Sequence, residues 1–150
     1  MTFEIRVVAP QEIYELRRRV LRNNDPSVDV TDARDGEAEA LHLGVVCDGA
    51  IVTCGSVYPS TSPLHPEVST YQLRYLATDV AYQGRGYGAA LLAALERDVF
   101  DRGAREIWAN GRDSALGFYD REGWHRMPGS EHSSPYTGLP HTVIWKSLAN

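Results

Sequence analysis

The sequence predicts a mixed α/β fold, built on a central, mostly antiparallel sheet of six to seven strands flanked by helices. Three strand-like runs between Leu41 and Thr78 follow one another with no helix between them, which favours antiparallel pairing. Asp48-Gly49 sits at the centre of the first two as a two-residue hairpin turn. Two strand–helix–strand units then follow, which permit local parallel pairing and place helices on the sheet faces.

The elements justify this in order. Phe3-Glu4-Ile5-Arg6-Val7-Val8 alternates apolar and polar residues as a strand does, and Pro10 stops it. From Gln11 to Arg22, Ile13, Leu16, Val20 and Leu21 recur at helical spacing. Arg17, Arg18, Arg19 and Arg22 on that helix could steer an anion, and the simpler reading is a solvated face paired with Glu12 and Glu15. Residues 23–39 are rich in Asn, Asp, Pro, Ser and Gly and read as a long loop. The hairpin 41–58 follows, then a loop held irregular by Pro59, Pro63 and Pro66. A strand is expected at 70–78 and a helix from about 86 to 102, with Leu91, Leu92, Leu95 and Val99 buried and Gly103 at its end. Glu106-Ile107-Trp108-Ala109 reads as a strand, and Asp113 as the cap of a helix that runs through Glu122 to Gly123. Residues 124–127 and 141–146 read as closing strands around a polar loop from Gly129 to Gly138. With no repeat, low-complexity tract or linker, the chain is expected to be one domain, 1–150.

Fifteen basic against twenty acidic residues give a net charge of −5, which argues against a nucleic-acid-binding surface. No apolar run reaches the ~20 residues of a membrane span, and the N-terminus lacks a secretory signal, so a cytoplasmic location is expected. Regular hairpin pairing would set Cys47 opposite Ala50 and Leu43 opposite Cys54. The two cysteines would then share a sheet face roughly 13 Å apart, at about 3.3 Å per residue. That is beyond the ~7 Å reach of a disulfide. Both read as reduced, buried thiols with no metal or redox role.

Gln83-Gly84-Arg85-Gly86-Tyr87-Gly88 carries the chemistry. It lies between the strand ending Leu76-Ala77-Thr78 and the helix opening at Ala89-Ala90-Leu91. A glycine-rich turn there presents free backbone N–H groups at a helix N-terminus, where the helix dipole favours an anion. Arg85 adds a fixed positive charge. Gly84-x-Gly86-x-x-Ala89 also fits a relaxed dinucleotide fingerprint. That fingerprint needs an acid at the end of the next strand, and the nearest acid, Glu106, begins it. A glycine turn that only admits the helix is the remaining reading.

The chain resembles the GNAT superfamily of N-acetyltransferases over nearly its whole length. Gln83 to Gly88 fits the family's Gln/Arg-x-x-Gly-x-Gly/Ala motif, and Leu76-Ala77-Thr78-Asp79 stands where the family has an apolar-Ala-Val-Asp segment. Ala115-Leu116-Gly117-Phe118-Tyr119 followed by Gly123-Trp124 looks like its second motif. The arginine-bearing first helix and Gly138-Leu139-Pro140-His141 are similar to the ElaA-like branch. The resemblance implies acetyl-CoA as co-substrate, with its pyrophosphate on the N–H groups of Gly84, Arg85, Gly86, Tyr87, Gly88 and Ala89 beside Gln83. It implies that Leu76, Ala77 and Thr78 hold the pantetheine arm, and that a backbone N–H at Leu76 or Ala77 polarises the thioester. Tyr119, which otherwise reads as a core residue, becomes the general acid that returns a proton to the thiolate and also borders the cofactor. No metal is implied.

The base is left open. No acid stands within Ile107-Trp108-Ala109-Asn110, and Asn110 and Arg112 occupy positions where relatives carry polar contacts. His141, Asp113, Glu131 and water are the candidates. The acceptor, an amine of a small molecule or peptide, would be met by the first helix and the loops 23–39, 59–69 and 129–140. Asp25, Asp29, Asp32, Asp35, Glu37 and Glu39 could attract it or simply be solvated. The alternative function is an acyl-CoA-binding sensor with weak turnover. A third possibility is transfer of a longer acyl group, which loop size near Tyr58 and Leu64 would control. The chain is expected to be a monomer or homodimer.

Overall fold

Eight strands and three α-helices make up the computed structural model, which describes residues 2–149. In chain order they are β1 (Glu4–Val7), α1 (Tyr14–Leu21), β2 (Leu41–Cys47), β3 (Ala50–Ser60), β4 (Thr70–Thr78), α2 (Tyr87–Asp101), β5 (Glu106–Arg112), α3 (Leu116–Arg121), β6 (His125–Arg126), β7 (His132–Ser133) and β8 (Pro140–Ser147). The sheet order is β1-β2-β3-β4-β5-β8-β6, with β7 also on β8. Pairing is mostly antiparallel, and β4 and β5 are parallel over Thr70–Gln72 and Glu106–Trp108. The eighth strand is β7, two residues inside the expected polar loop, where no hydrophobic alternation announces it. Backbone contacts group the chain into two compact units, Met1–Tyr58 with Leu73–Asp98 and Pro59–Gln72 with Val99–Asn150.

In the first unit, β3 has a helix on each face. Cys54 packs in a cluster with Ile13 and Leu16 of the α1 segment, Val8 and Ala77. At the next residue, Gly55, a Cβ would lie 3.0 Å from Leu95 Cδ1 and 3.5 Å from Leu91 Cδ2, so α2 covers the other face. Pairing in the β2–β3 hairpin corrects the expected register. Cys47 does oppose Ala50, but a bulge beyond Val45/Val46 sets Gly44, not Leu43, opposite Cys54. The extra residue reverses the facing. Cys47 interacts with Tyr87 at the start of α2, while Cys54 faces α1. The two free, buried thiols therefore lie on opposite faces and do not share one.

The arginine helix is also corrected. A 3-10 turn at Pro10–Glu12 precedes α1, and Arg17 is buried, with 1% of its surface exposed. Its Nη1 donates to the Val30 carbonyl at 2.9 Å and to Asp35 Oδ2 at 2.9 Å. Its Nη2 donates to Asp35 Oδ1 at 3.2 Å, Ser56 Oγ at 2.9 Å and Tyr58 Oη at 3.3 Å. Asp35 also accepts from the Tyr58 hydroxyl at 2.5 Å, the Tyr14 hydroxyl at 3.0 Å and the Asp32 amide at 2.9 Å. His42 Nε2 donates to the Asp35 carbonyl at 3.0 Å, and its Nδ1 receives the Ser56 hydroxyl at 2.7 Å. Asp32 takes Arg34, Arg74 and the Tyr75 hydroxyl. The acidic loop is thus fastened to α1 and the sheet by its own carboxylates. Asp25 and Asp29 turn inward on Ser27 and Thr31.

In the second unit, β5 pairs with β8 from Glu106↔Ser147 to Arg112↔His141. Gly111 is required there by space: a Cβ would lie 2.8 Å from Ile144 Cδ1 and 3.3 Å from Leu116 Cδ2. The proline-rich loop is tied down by His65, whose Nδ1 donates to the buried Glu106 carboxylate. Asp113 does not cap the next helix as expected. A 3-10 turn at Asp113–Ala115 leads into α3, no side chain caps it, and Asp113 Oδ1 instead accepts from Thr142 Oγ1 at 3.2 Å. Among the described residues, no helix is long and apolar enough to cross a membrane.

Two predictions follow from this packing. Gly111→Ala overfills the contact with Ile144 and lowers stability by about 1–3 kcal/mol, read from urea unfolding. Burial alone would raise the Asp32 carboxyl, but its bonds to Arg34 outweigh burial and hold it at about 2. Arg17 and Tyr58 likewise overcome the effect of burial and hold Asp35 well below the usual carboxylate range. Both folded values lie below the unfolded one of about 3.9, so their stabilisation is complete above that pH and fades as pH falls toward 2. The urea midpoint is expected to drop over that interval. Asp35→Asn flattens the drop and costs about 3–5 kcal/mol at neutral pH, because it strands a buried guanidinium.

Candidate functional site

The anion-binding turn grows out of the end of β4. Asp79 Oδ1 accepts the Ala81 amide at 2.9 Å and starts a 3-10 turn, Val80–Tyr82. Arg19 of α1 donates to Asp79 Oδ2 at 2.7 Å, tying the helix to this turn. Gln83 Nε2 donates back to the Thr78 carbonyl at 3.0 Å and closes the loop. Gly84 and Gly86 have φ of +79° and +83°, and a Cβ on either would meet nothing within 4 Å. Glycine is therefore needed at both for backbone conformation, and the space outside is open. The Ala90 amide donates to the Gly86 carbonyl at 3.0 Å. Among the described residues, no protein acceptor receives the amides of Gly86, Tyr87, Gly88 and Ala89. These are the orphan donors of the α2 N-terminus, and they suit a phosphate.

The side chains of this turn act mainly as supports. Tyr87 is buried, with its ring 4.9 Å from Phe3 and its hydroxyl against Cys47. Arg85 Nη2 donates to the Ala81 carbonyl at 3.4 Å, and its guanidinium lies 5.0 Å from the Tyr82 ring, exposed at the turn.

The last residues of β4 divide their amides between two edges. The Asp79 N–H donates to the Val52 carbonyl at 2.8 Å, toward β3, and the Ala77 N–H, two residues back on the strand, shares that side. Strand alternation then turns the Leu76 and Thr78 amides to the opposite edge. The Thr78 hydroxyl pairs with that of Thr53 at 3.0 Å. The Cys54 thiol donates to the Tyr75 carbonyl at 3.4 Å, and burial pushes its pKa up to about 12. Tyr75 has φ of +62°, a left-handed residue inside a strand.

In the second unit, Tyr119 lies on α3, buried, with Phe118 and Trp124 each 5.1 Å from its ring centroid. Burial raises its phenol above the ordinary tyrosine value. His141, on β8, donates from Nδ1 to the Leu139 carbonyl at 2.9 Å and stands opposite His132 on β7. Asp113, Glu131 and Asn110 are exposed. Arg112 is half-buried, and burial lowers its pKa.

Sequence reasoning missed the buried Arg17 network. Its cue is spacing, since Arg17 falls four residues after Ile13 and three before Val20, on the apolar stripe of α1. Tyr58, which the sequence placed beside a loop that would control acyl length, is buried and bonded to Asp35 and Arg17.

Residues 10–124 match the acetyltransferase (GNAT) family model. YitI, an uncharacterized N-acetyltransferase of Bacillus subtilis (strain 168), is 32% identical over 146 residues, covering 97% of this chain and 96% of YitI. Escherichia coli ElaA shares the fold with a TM-score of 0.74 at 15% identity, covering 97% of this chain and 99% of that one. An aminoglycoside 6'-N-acetyltransferase solved with coenzyme A does so with a TM-score of 0.74 at 12% identity, covering 98% of each chain. The family match across most of the sequence and the near full-length relative establish that this chain belongs to the GNAT family of acetyltransferases, which use an acyl-CoA co-substrate.

Proposed function

We propose that the chain is an N-acetyltransferase that moves the acetyl group of acetyl-CoA directly to a primary amine. The observation that carries this reading is the set of unpartnered amides from Gly86 to Ala89 behind two left-handed glycines. The pyrophosphate would rest there, with Gly84 and Arg85 beside it and Gln83 holding the turn closed. Since the family match runs from residue 10 to 124 and so includes parts of both units, we take the two as one GNAT domain.

The edge of β4 turned away from β3 would hold the pantetheine arm, through the backbone of Leu76 and Thr78. Of the two candidate oxyanion donors, Leu76 is preferred, because the Asp79 N–H donates to the Val52 carbonyl, so strand alternation turns the Ala77 N–H toward β3 and the Leu76 N–H away from it. Such a donor contributes ~3 kcal/mol or more to lowering the barrier. The amine lone pair attacks the thioester carbon, the C–S bond breaks, and the amide forms. Tyr119 gives its phenolic proton to the leaving thiolate. Burial keeps that phenol protonated at neutral pH and also weakens it as an acid, so donation is favoured when the thiolate is desolvated too. His141 is retained as a base through its Nε2, since Nδ1 is engaged with Leu139, and water is the other route. No cysteine is needed as nucleophile, and the raised thiol of Cys54 suits that.

A thiol-release screen of amines, peptides and aminoglycosides with acetyl-CoA tests the reading. Saturable release with one amine class supports it, whereas tight CoA binding without release from any amine would favour a sensor. Gly86→Ala forces a side chain into left-handed backbone, and it is expected to raise the acetyl-CoA KM by roughly ten-fold, the effect of about 1–3 kcal/mol of strain. Tyr119→Phe is expected to lower kcat by about 10²-fold or more without changing acetyl-CoA binding. Because the folded phenol titrates above its ordinary value, the wild-type kcat should show no loss of the acid up to about pH 10.

A further inference from the structure

Tyr75 is the left-handed residue of β4, and it immediately precedes Leu76. An aromatic residue holds such a backbone only when its surroundings over-determine it. Four contacts do so. The Arg17 guanidinium lies 4.0 Å from the centre of the Tyr75 ring, and that of Arg74 lies 4.5 Å away. The Tyr75 hydroxyl donates to Asp32 Oδ2 at 3.1 Å, and its carbonyl receives the Cys54 thiol at 3.4 Å.

Arg17 cannot retreat from this contact. Asp35 grips it through both terminal nitrogens, and Val30, Ser56 and Tyr58 take its remaining Nη bonds. Cys54 of β3 donates its thiol hydrogen to the Tyr75 carbonyl, so a side chain reaches β4 at the left-handed residue. The left-handed φ at Tyr75 sets the orientation of the peptide that follows and with it where the Leu76 amide points.

We infer that Arg17 is a positioning residue for acyl transfer, whose buried guanidinium clamps Tyr75 in its left-handed conformation and thereby aims the Leu76 N–H at the thioester carbonyl. The inference rests on the proposed use of the β4 edge by acyl-CoA. It assigns the buried cation a role beyond holding the loop, and that role makes a separable prediction. The phosphate cradle at residues 84–89 is not part of the clamp, so binding and polarisation should come apart.

The test uses Arg17→Lys, which keeps the charge and loses the planar fork, and Tyr75→Leu, which removes the ring and leaves the Arg17–Asp35 pair in place. Calorimetry with CoA reads the cradle. Difference infrared spectra of carbonyl-labelled acetyl-CoA read polarisation of the thioester, with no acceptor required. Wild type is expected to bind and to shift the carbonyl band to lower frequency. Both variants are expected to bind CoA within about two-fold of wild type yet lose most of that shift. With an acceptor from the screen, their kcat should fall about 100-fold at nearly constant KM, the pattern of a misaimed group. Tyr75→Phe, which keeps the ring on Arg17, should retain the shift. If Arg17→Lys does not fold, Tyr75→Leu decides the matter alone. A full carbonyl shift in Tyr75→Leu would overturn the positioning role, and so would CoA binding by the wild type with no shift at all. No CoA binding by the wild type would overturn the acyl-CoA reading itself, and this inference with it.

Discussion

The Arg17–Asp35 ion pair is the constraint around which the first unit is organised, with both side chains almost wholly removed from water. A buried pair of this kind gains little net stability over an apolar pair of the same volume, because desolvation offsets the attraction. What it supplies is uniqueness. The guanidinium has a planar set of donors in a fixed geometry, and here they reach residues drawn from the acidic loop and β3. Asp35 completes the set by accepting from Tyr14, Tyr58 and the Asp32 amide. A loop of seventeen residues (23–39) that would otherwise be free is given one conformation by two carboxylates, Asp35 and Asp32. Of the acids that looked available to an amine, Asp32 and Asp35 are therefore engaged within the protein.

The same cation reaches the chemistry through an aromatic ring. Tyr75 rests on Arg17 and holds a left-handed backbone inside β4, immediately before Leu76. The cysteine expected to be inert turns out to have a structural task. Cys54 donates its thiol hydrogen to the Tyr75 carbonyl and so links β3 to the left-handed residue of β4. Its burial among Val8, Ile13, Leu16 and Ala77 keeps it a neutral thiol, which suits a hydrogen-bonding linker and not a nucleophile.

Legibility in the sequence tracked how local each determinant was. The glycine turn could be read because Gly84 and Gly86 carry their conformational requirement themselves, whatever surrounds them. Helix α2 could be read from its apolar stripe, and the β2–β3 hairpin from Asp48-Gly49. Small non-local features escaped. One extra residue in the hairpin moved Cys54 to the other face, and period-2 reasoning has no means to place such an insertion. Asp113 looked like a helix cap, yet its carboxylate went to Thr142 across twenty-nine residues. Arg17 was read as surface because arginine usually is, and only the partner Asp35, eighteen residues on, makes its burial tolerable.

By itself the sequence determined the mixed sheet, the order of its main elements, the family resemblance and the anion-binding turn. Each of these depends on residues adjacent along the chain or on a periodicity that solvent exposure enforces. Tertiary structure alone decided which charges are buried, which face each cysteine occupies, and which neighbour each β4 amide faces. Those outcomes depend on partners far apart in sequence, and a desolvated charge or a free amide is defined only by what surrounds it in space.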